Sequence, residues 1–246
     1  MKSFEVKNIE QFFKAVLSST ILFKKMFWWR GQANLDWKVV PSLYHKGKHK
    51  DEFNMIHSFM NHALVRRSNV PNKDDLQGWL FLMQHFGLPT RLLDWSNSPL
   101  VALYFAIREE LFSNKNGVVW GLQPAALNAD QVEIGSVLTL NHHKVLPFFA
   151  NAFSSSGQKD IKKILAISSQ HIDTRQLLQA SEFTIHGYEQ PLNELSQADK
   201  FMVRIIIPVE AKPKLKESLR VLNITESQLF PDLDHLAIEL ENTRWS

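Results

Sequence analysis

The sequence predicts an α+β fold in which short strands alternate with amphipathic helices, and three observations carry that prediction. In four stretches of the first half of the chain, apolar residues recur every three or four positions, as they do on the buried side of a helix. Short runs rich in aromatic and β-branched residues, Phe27 to Gln32, Gly117 to Leu122, Phe183 to His186 and Phe201 to Ile207, read as strands. The 246 residues include only nine glycines and no Gly-rich turn between a strand and a helix, which argues against a dinucleotide-binding Rossmann unit.

Residues 8 to 24 open with Asn8 as a cap and place Ile9, Phe12, Phe13, Val16, Leu17 and Leu22 at helical spacing. The strand from Phe27 ends at Gly31, so a polar side chain at its end is aimed at a cleft. Trp37 to Pro41 suits a second extended piece stopped by proline. Between Asp51 and Arg67 the residues Phe53, Ile56, Phe59, Met60, Ala63 and Leu64 define an amphipathic helix. Asp74 or Asp75 caps the next one, which ends near Gly87-Leu88-Pro89 because glycine favours the exit from a helix and proline cannot continue it. Thr90 to Asn97 reads as a loop. Ser98-Pro99 starts a fourth helix that is apolar nearly all round and therefore buried, and Asn114 to Asn116 mark a turn before the strand Gly117 to Leu122. Pro124 starts a helical or turn segment. Residues 128 to 175 show mixed polarity and no clear period, with a loop at Ser154 to Gly157. The chain closes with the strands at 183 to 186 and 201 to 207, a surface helix from Ala211 to Leu222 and a last helix from Gln228 to Asn242.

Length and composition fit one globular domain over residues 1 to 246, with a signature core at about 25–110, a variable stretch at about 128–175 and a strand-helix region at 176–246. An apolar fraction of 44% and a charged fraction of 22% exclude a disordered or fibrous chain. Zero cysteines exclude disulfides, thiolate catalysis and any zinc site that needs sulfur, and they fit a reducing cytosol. No apolar run approaches the roughly 18 residues of a membrane span, so a soluble, cytoplasmic protein with no membrane partner is expected. Net charge is only +3, with local positive charge at Lys46, Lys48, Lys50 and Arg66-Arg67. Such clusters suit solvated loop and helix surfaces, or contact with nucleic-acid phosphates.

Two segments concentrate chemistry. Trp29-Arg30-Gly31-Gln32 puts a guanidinium at a strand end, followed by a glycine that allows close backbone approach and an amide that can hold a hydrogen-bonded partner. Arginine suits two-pronged capture of phosphate or carboxylate. Gln84 to Phe105 gathers Gln84, His85, Thr90, Arg91, Asp94, Ser96, Asn97 and Ser98 between two apolar helices, where each polar group must find a partner or face a cleft. One reading pairs Arg91 with Asp94 and lets Ser96 or Asn97 cap the next helix; the other turns part of the group towards a ligand. His85 is either an acid/base group oriented by Asp94 or a buried histidine tying a helix end to the loop. The remaining histidines have no regular metal-ligand spacing, so no metal is expected.

These segments resemble the FRG-domain family, named for an aromatic-Arg-Gly signature matched here by Trp29-Arg30-Gly31. The family pattern continues in Pro41-Ser42-Leu43, in the block from Gln84 to Trp95, in Arg175, Gln179, Phe183 and Thr184, and in Leu229 to Leu233. One departure is Ser181, where the pattern has glycine. The order of an aromatic-Arg-Gly strand, a Ser-x-Ser element and a late Gln/Glu element is in turn similar to the motif order of ADP-ribosyltransferases. That likeness implies a mixed or antiparallel central sheet flanked by helices, with NAD as substrate. Carried over, Arg30 would hold phosphate, Ser96 with Ser98 would shape the nicotinamide pocket, and Gln179 or Glu182 would stand at the catalytic edge; Gly31, Gln32, Thr90, Arg91 and Asp94 join the cofactor-binding residues and His85 the catalytic ones. Gln179 cannot ionise and Glu182 stands one residue off a Gln-x-Glu spacing, so the charge such a site needs is not assured by sequence.

The resemblance therefore implies an NAD-binding, ADP-ribosyltransferase-like enzyme, a toxin or phage-defence effector acting on nucleic acid or protein. Two alternatives stay open: a non-catalytic module binding a nucleotide, nucleic acid or protein, and a His-dependent phosphoesterase using His85 and Asp94.

Overall fold

A computed structural model describes residues 1–23, 26–108, 110–155, 161–168 and 177–242. Its framework is a seven-stranded mixed sheet: β1 (Lys2–Glu5), β2 (Trp28–Gln32), β3 (Leu92–Ser96), β4 (Gly117–Leu122), β5 (Ile164–Ile167), β6 (Ser181–His186) and β7 (Met202–Ile207). The spatial order is β1-β7-β4-β2-β3-β6-β5. Only β1 and β7 run parallel; every other neighbour is antiparallel. The fold is α+β, with helices flanking the sheet.

The helices that matter to the site are α1 (Ile9–Phe23), α2 (Ser42–His45), α3 (Glu52–Ala63), α4 (Leu76–His85) and α5 (Pro99–Ile107). They are followed by α6 (Pro124–Val132), α7 (Leu146–Ala152), α8 (Lys212–Val221), α9 (Glu226–Leu229) and α10 (Leu233–Asn242). Local chemistry sets their ends. The Asn8 carboxamide accepts from the Gln11 N–H at 2.9 Å, the Asp75 carboxylate accepts from Gly78 N–H at 2.9 Å, and Ser98 stands before Pro99 with its hydroxyl accepting from Val101 N–H. Gly87, at φ +77°, takes the chain out of α4 in the left-handed region that glycine tolerates.

Register decides which side chains share a face. Trp29 and Gly31 of β2 lie with Asp94 and Ser96 of β3, Ser181 and Phe183 of β6, Val119 of β4 and Val203 of β7. On this face the apolar packing divides in two. One core joins Trp29, Val119, Val203 and Ile205 to Phe12 of α1, Ala102 and Ala106 of α5 and Leu215 of α8. The other joins Leu92, Phe183, Ile185 and Leu165 to Trp79 and Met83 of α4, Ile56 of α3 and Phe148 of α7. The opposite face carries a single core around Trp28, Leu93, Trp95, Trp120 and Met202.

Four sequence expectations need correction. Thr90 to Asn97 is not a loop: Leu92–Ser96 is a central strand, paired with β6 along its whole length. Trp37 to Pro41 is not in the sheet; Val39 instead binds the Leu192 N–H through its carbonyl at 2.8 Å and the Asn193 carboxamide through its N–H at 2.9 Å. The closing helix is broken after Leu229, where Pro231 cannot supply a helical N–H, and resumes at Leu233. Residues 128 to 175 do hold ordered elements, the end of α6, α7 and β5, while Arg175, Ser156 and Gly157 lie outside the described residues. The edge strands β1 and β5, four residues each, were not anticipated.

Candidate functional site

Between the two cores of the divided face lies a cleft of ≈ 310 Å³. Its floor is β2 and β3, its walls are the C-terminal end of α4 and one side of α5, and its far end is closed by Gln179 and Ser181. The cleft exists because β2 and β3 share only one register pair, Trp29 with Ser96, whereas β2 and β4 share five. Past that pair the two strands part. Arg30 enters the gap and its Nη1 donates to the Asp94 carbonyl at 2.7 Å, a group that faces away from β6 and towards the departed strand.

Among the described residues this is the one hydrogen bond found for the Arg30 guanidinium, and its Nε–H has no partner. Arg30 is half-buried. Burial pulls its pKa below the ordinary arginine value, and the Asp94 carboxylate opposes that shift. The guanidinium stays charged at neutral pH, because arginine starts so far above it.

Asp94 projects into the cleft from the centre of β3. Gln84 holds it, with Nε2 donating to Oδ2 at 2.6 Å. The Gln84 amide is fixed in turn: its carbonyl accepts from the Thr90 hydroxyl, whose oxygen accepts from Leu92 N–H at 3.1 Å. Gln84 thus has its N and O ends assigned by the network, and the carboxylate it presents is aimed by a chain that begins in the backbone of β3 itself. His85 lines the same cleft, next to Gln84.

Gly31 is needed for a different contact from the one expected. A Cβ there would sit 1.9 Å from the Ala102 carbonyl and 2.6 Å from the Ala106 nitrogen, so glycine lets α5 lie directly on β2. This close packing brings Val101, Ala102 and Phe105 to the cleft as an apolar wall. Gln32 also reaches the lining, but both its ends are occupied: the carbonyl accepts from Trp120 Nε1 at 2.7 Å and the amide donates to the Lys38 carbonyl at 3.2 Å.

Of the sequence-derived site residues, the structure brings Arg30, Gly31, Gln32, His85, Asp94, Ser96 and Gln179 to one cleft. Ser96 donates to the Gln179 carbonyl at 2.6 Å and accepts from Ser98 N–H at 3.0 Å, tying β3 to the segment before β6. The Gln179 amide donates to the Leu229 carbonyl at 3.1 Å. The left-handed residue of this segment is Ala180, φ 46°, whose carbonyl accepts from Asn97 N–H at 2.9 Å; Ser181, where glycine was expected, begins β6 in extended conformation.

Four residues are placed elsewhere. Thr90 is buried behind Gln84, and Ser98 caps α5. Glu182 is opposite Trp95 in the register, on the other face of the sheet, where its carboxylate accepts from Asn97 Nδ2 at 2.9 Å. Arg91 does not pair with Asp94: it is fully buried against Glu52 of α3, through Nε at 2.9 Å and through Nη2. A three-residue spacing suggested the wrong partner, since the right one is 39 residues away on another element. Sequence reasoning left out Trp37 and Val101; only the aromatic enrichment around the signature hinted at the former.

Among the described residues no group of three or more His, Asp or Glu side chains is arranged to hold a metal ion, and no helix is long and apolar enough to cross a membrane. Lys46, Lys48 and Lys50 are exposed between α2 and α3.

The fold and cleft thus define a mixed-sheet α+β protein in which an arginine bonds the main chain of a cleft aspartate where two central strands separate. Residues 25–115 match the FRG domain, so the chain carries an FRG domain that spans β2, β3 and α5. That stretch holds Arg30, Gln84, His85, Asp94 and Ser96, while Gln179 and Ser181 come from outside it. No curated protein and no solved structure matches the chain.

Proposed function

We propose that the cleft binds NAD and cleaves or transfers at its nicotinamide-ribose bond, as in an ADP-ribosyltransferase-like enzyme. The observation that carries this reading is Arg30: a half-buried guanidinium with one hydrogen bond and an unpartnered Nε–H, at the edge of a cleft. Leaving such donors unsatisfied is costly, and an anionic ligand such as a pyrophosphate would complete them. Trp37 and Phe105 add apolar ring surface that a nicotinamide or adenine ring can use. The volume suits the reactive half of a dinucleotide, with the remainder lying across the open surface.

The test is a thermal-shift titration with NAD, followed by measurement of nicotinamide release with water as the acceptor. NAD should raise the melting temperature, and Arg30→Ala should remove the rise. No shift and no release at millimolar NAD would sink the proposal.

A second reading, a non-catalytic nucleotide-binding module, is favoured by one observation: the Gln179 amide and the Glu182 carboxylate are both engaged in protein contacts, the latter on the opposite face of the sheet. It predicts an NAD-dependent thermal shift without nicotinamide release.

A further inference from the structure

The reading above leaves the reaction without an acidic group, since Gln179 is neutral and Glu182 faces away. We infer that Asp94 is the catalytic carboxylate of the cleft, with Gln84 and Thr90 as the positioning residues that aim it. The inference rests on the NAD proposal and deepens it.

Three observations carry the assignment. Asp94 is an acidic side chain in the cleft lining, and it occupies a strand position whose neighbours on the same face, Leu92 of β3 and Phe183 of β6, belong to an apolar core. Asp94 is the exposed residue of a strand whose other four positions are buried, so its carboxylate is accessible to a ligand entering the cleft. Second, Asp94 is aimed rather than merely tolerated. The relay from Leu92 N–H through Thr90 and the Gln84 carbonyl to the Gln84 amide fixes Oδ2. Third, the Arg30 guanidinium meets the main-chain carbonyl of this same residue, which puts the anion-holding group and the carboxylate on opposite sides of one peptide unit. A bound dinucleotide with its pyrophosphate on Arg30 therefore has its ribose close to Asp94.

The step balances without a further reactant. A water oxygen attacks the anomeric carbon of the nicotinamide ribose while the carbon-nitrogen bond breaks. The bonding pair goes to the pyridinium nitrogen, which leaves as neutral nicotinamide. The carboxylate of Asp94 stabilises the positive charge that develops on the ribose and takes the proton of the attacking water, later released to solvent. The net change is NAD plus water to ADP-ribose, nicotinamide and a proton.

Among the described residues, the charged or titratable groups lining the cleft with Asp94 are Arg30 from β2 and His85 from the end of α4; α5 contributes the apolar Val101, Ala102 and Phe105, and the segment leading into β6 contributes Gln179 and Ser181. Because the Gln84 amide donates to the ionised carboxylate, its loss must make the carboxylate easier to protonate.

The experiment compares the unmodified protein with Asp94→Asn and Gln84→Leu. Asp94→Asn keeps the shape and an acceptor for Gln84. It should retain the NAD-dependent thermal shift yet lose nicotinamide release by at least about 100-fold, the usual range for a lost acid/base group. Gln84→Leu should bind NAD and turn over with the acid limb of its pH-rate profile moved to higher pH, which a purely structural role would not produce. Release by Asp94→Asn within about 3-fold of the unmodified protein, or an unmoved acid limb in Gln84→Leu, overturns the assignment while the NAD reading stands. Absence of release from the unmodified protein overturns both.

Discussion

The Arg30 Nη1 donates to the Asp94 carbonyl at 2.7 Å across a gap in the sheet, so the side chain of one strand stands in for the main chain that would otherwise lie there. A guanidinium can do this and still present donors elsewhere, because its five N–H groups point in fixed, different directions. An ammonium cannot hold that geometry. Arg30→Lys keeps the charge and should weaken NAD by about tenfold or more, roughly 1.4 kcal/mol, in a thermal-shift or calorimetric titration. Equal affinity for the lysine variant would show that the site uses Arg30 only as a point charge.

Gly31→Ala should destabilise the protein without any change of charge. The new Cβ meets the Ala102 carbonyl at 1.9 Å, and backbone on a packed helix cannot yield as a flexible side chain would. The cost of overpacking is about 1–3 kcal/mol or more, a fall in melting temperature of roughly 2–12 °C for a protein of this size. Gly135→Ala, where a Cβ meets nothing within 4 Å, is the control and should melt within about 1 °C of the parent.

Arg91 and Glu52 form an ion pair sealed from solvent, with side-chain exposures of 0% and 1%. Glu52→Ala leaves a buried cation with no counter-charge and should cost about 3–5 kcal/mol in urea unfolding. The double variant Glu52→Leu with Arg91→Met removes both charges and should recover most of that loss. If the double variant is as unstable as the single one, the pair contributes through geometry rather than through mutual neutralisation.

His186 imposes a pH dependence on stability. It is fully buried beside Thr184, and burial, with Arg30 adding repulsion, pushes its pKa down to about 3. The unfolded chain binds a proton near pH 6.5 and the folded one does not, so between about pH 6.5 and 3 the unfolded state holds more protons. Stability from this group is complete above that window and is lost as the pH falls through it, by about 1.4 kcal/mol per pH unit. Urea unfolding at pH 7.0, 5.5 and 4.5 should therefore show the stability difference between the parent and His186→Gln moving in favour of the variant as the pH drops. A difference constant across those three values would place the proton elsewhere.

Glu182→Gln and Gln179→Ala test residues that motif order alone put at the catalytic edge. Glu182 binds Asn97 on the far face, so its substitution should leave nicotinamide release within about 3-fold of the parent, far short of the loss on removing an acid/base group. Gln179→Ala should cost about 1 kcal/mol of stability through the lost bond to the Leu229 carbonyl. A hundredfold loss of release with Glu182→Gln would reinstate it as the acid.

Strong periodicity and local capping made most helices legible, as Asn8 and Asp75 illustrate, although α5 is capped by Ser98 and not by Ser96 or Asn97. The central strand β3 was not legible, and the reason lies in the residues it turns to the cleft. Its alternation places Leu93 and Trp95 on one face and Asp94 and Ser96 on the other, so the residues that build the cleft break the apolar pattern by which a buried strand is recognised. The same density of polar groups marked the segment as chemically unusual, and Arg30, His85, Asp94, Ser96 and Gln179 do converge. What sequence could not give was long-range partnership: Arg91 with Glu52, Gln179 with Leu229, and the face on which Glu182 falls all depend on register between distant segments. Pro231 is the residue in the sequence that marks the break between α9 and α10.

The solitary pairing of Trp29 with Ser96 makes the middle of the sheet its weakest seam. On the cleft side each half has its own helices and its own apolar interior, while the core around Trp28, Leu93, Trp95 and Trp120 crosses the join on the opposite face. A ligand gripping Arg30 on one side and Asp94 on the other would act as a rivet across the join. Occupancy should then slow amide exchange on both flanks together, reaching β4 and β6 as well as the residues it touches.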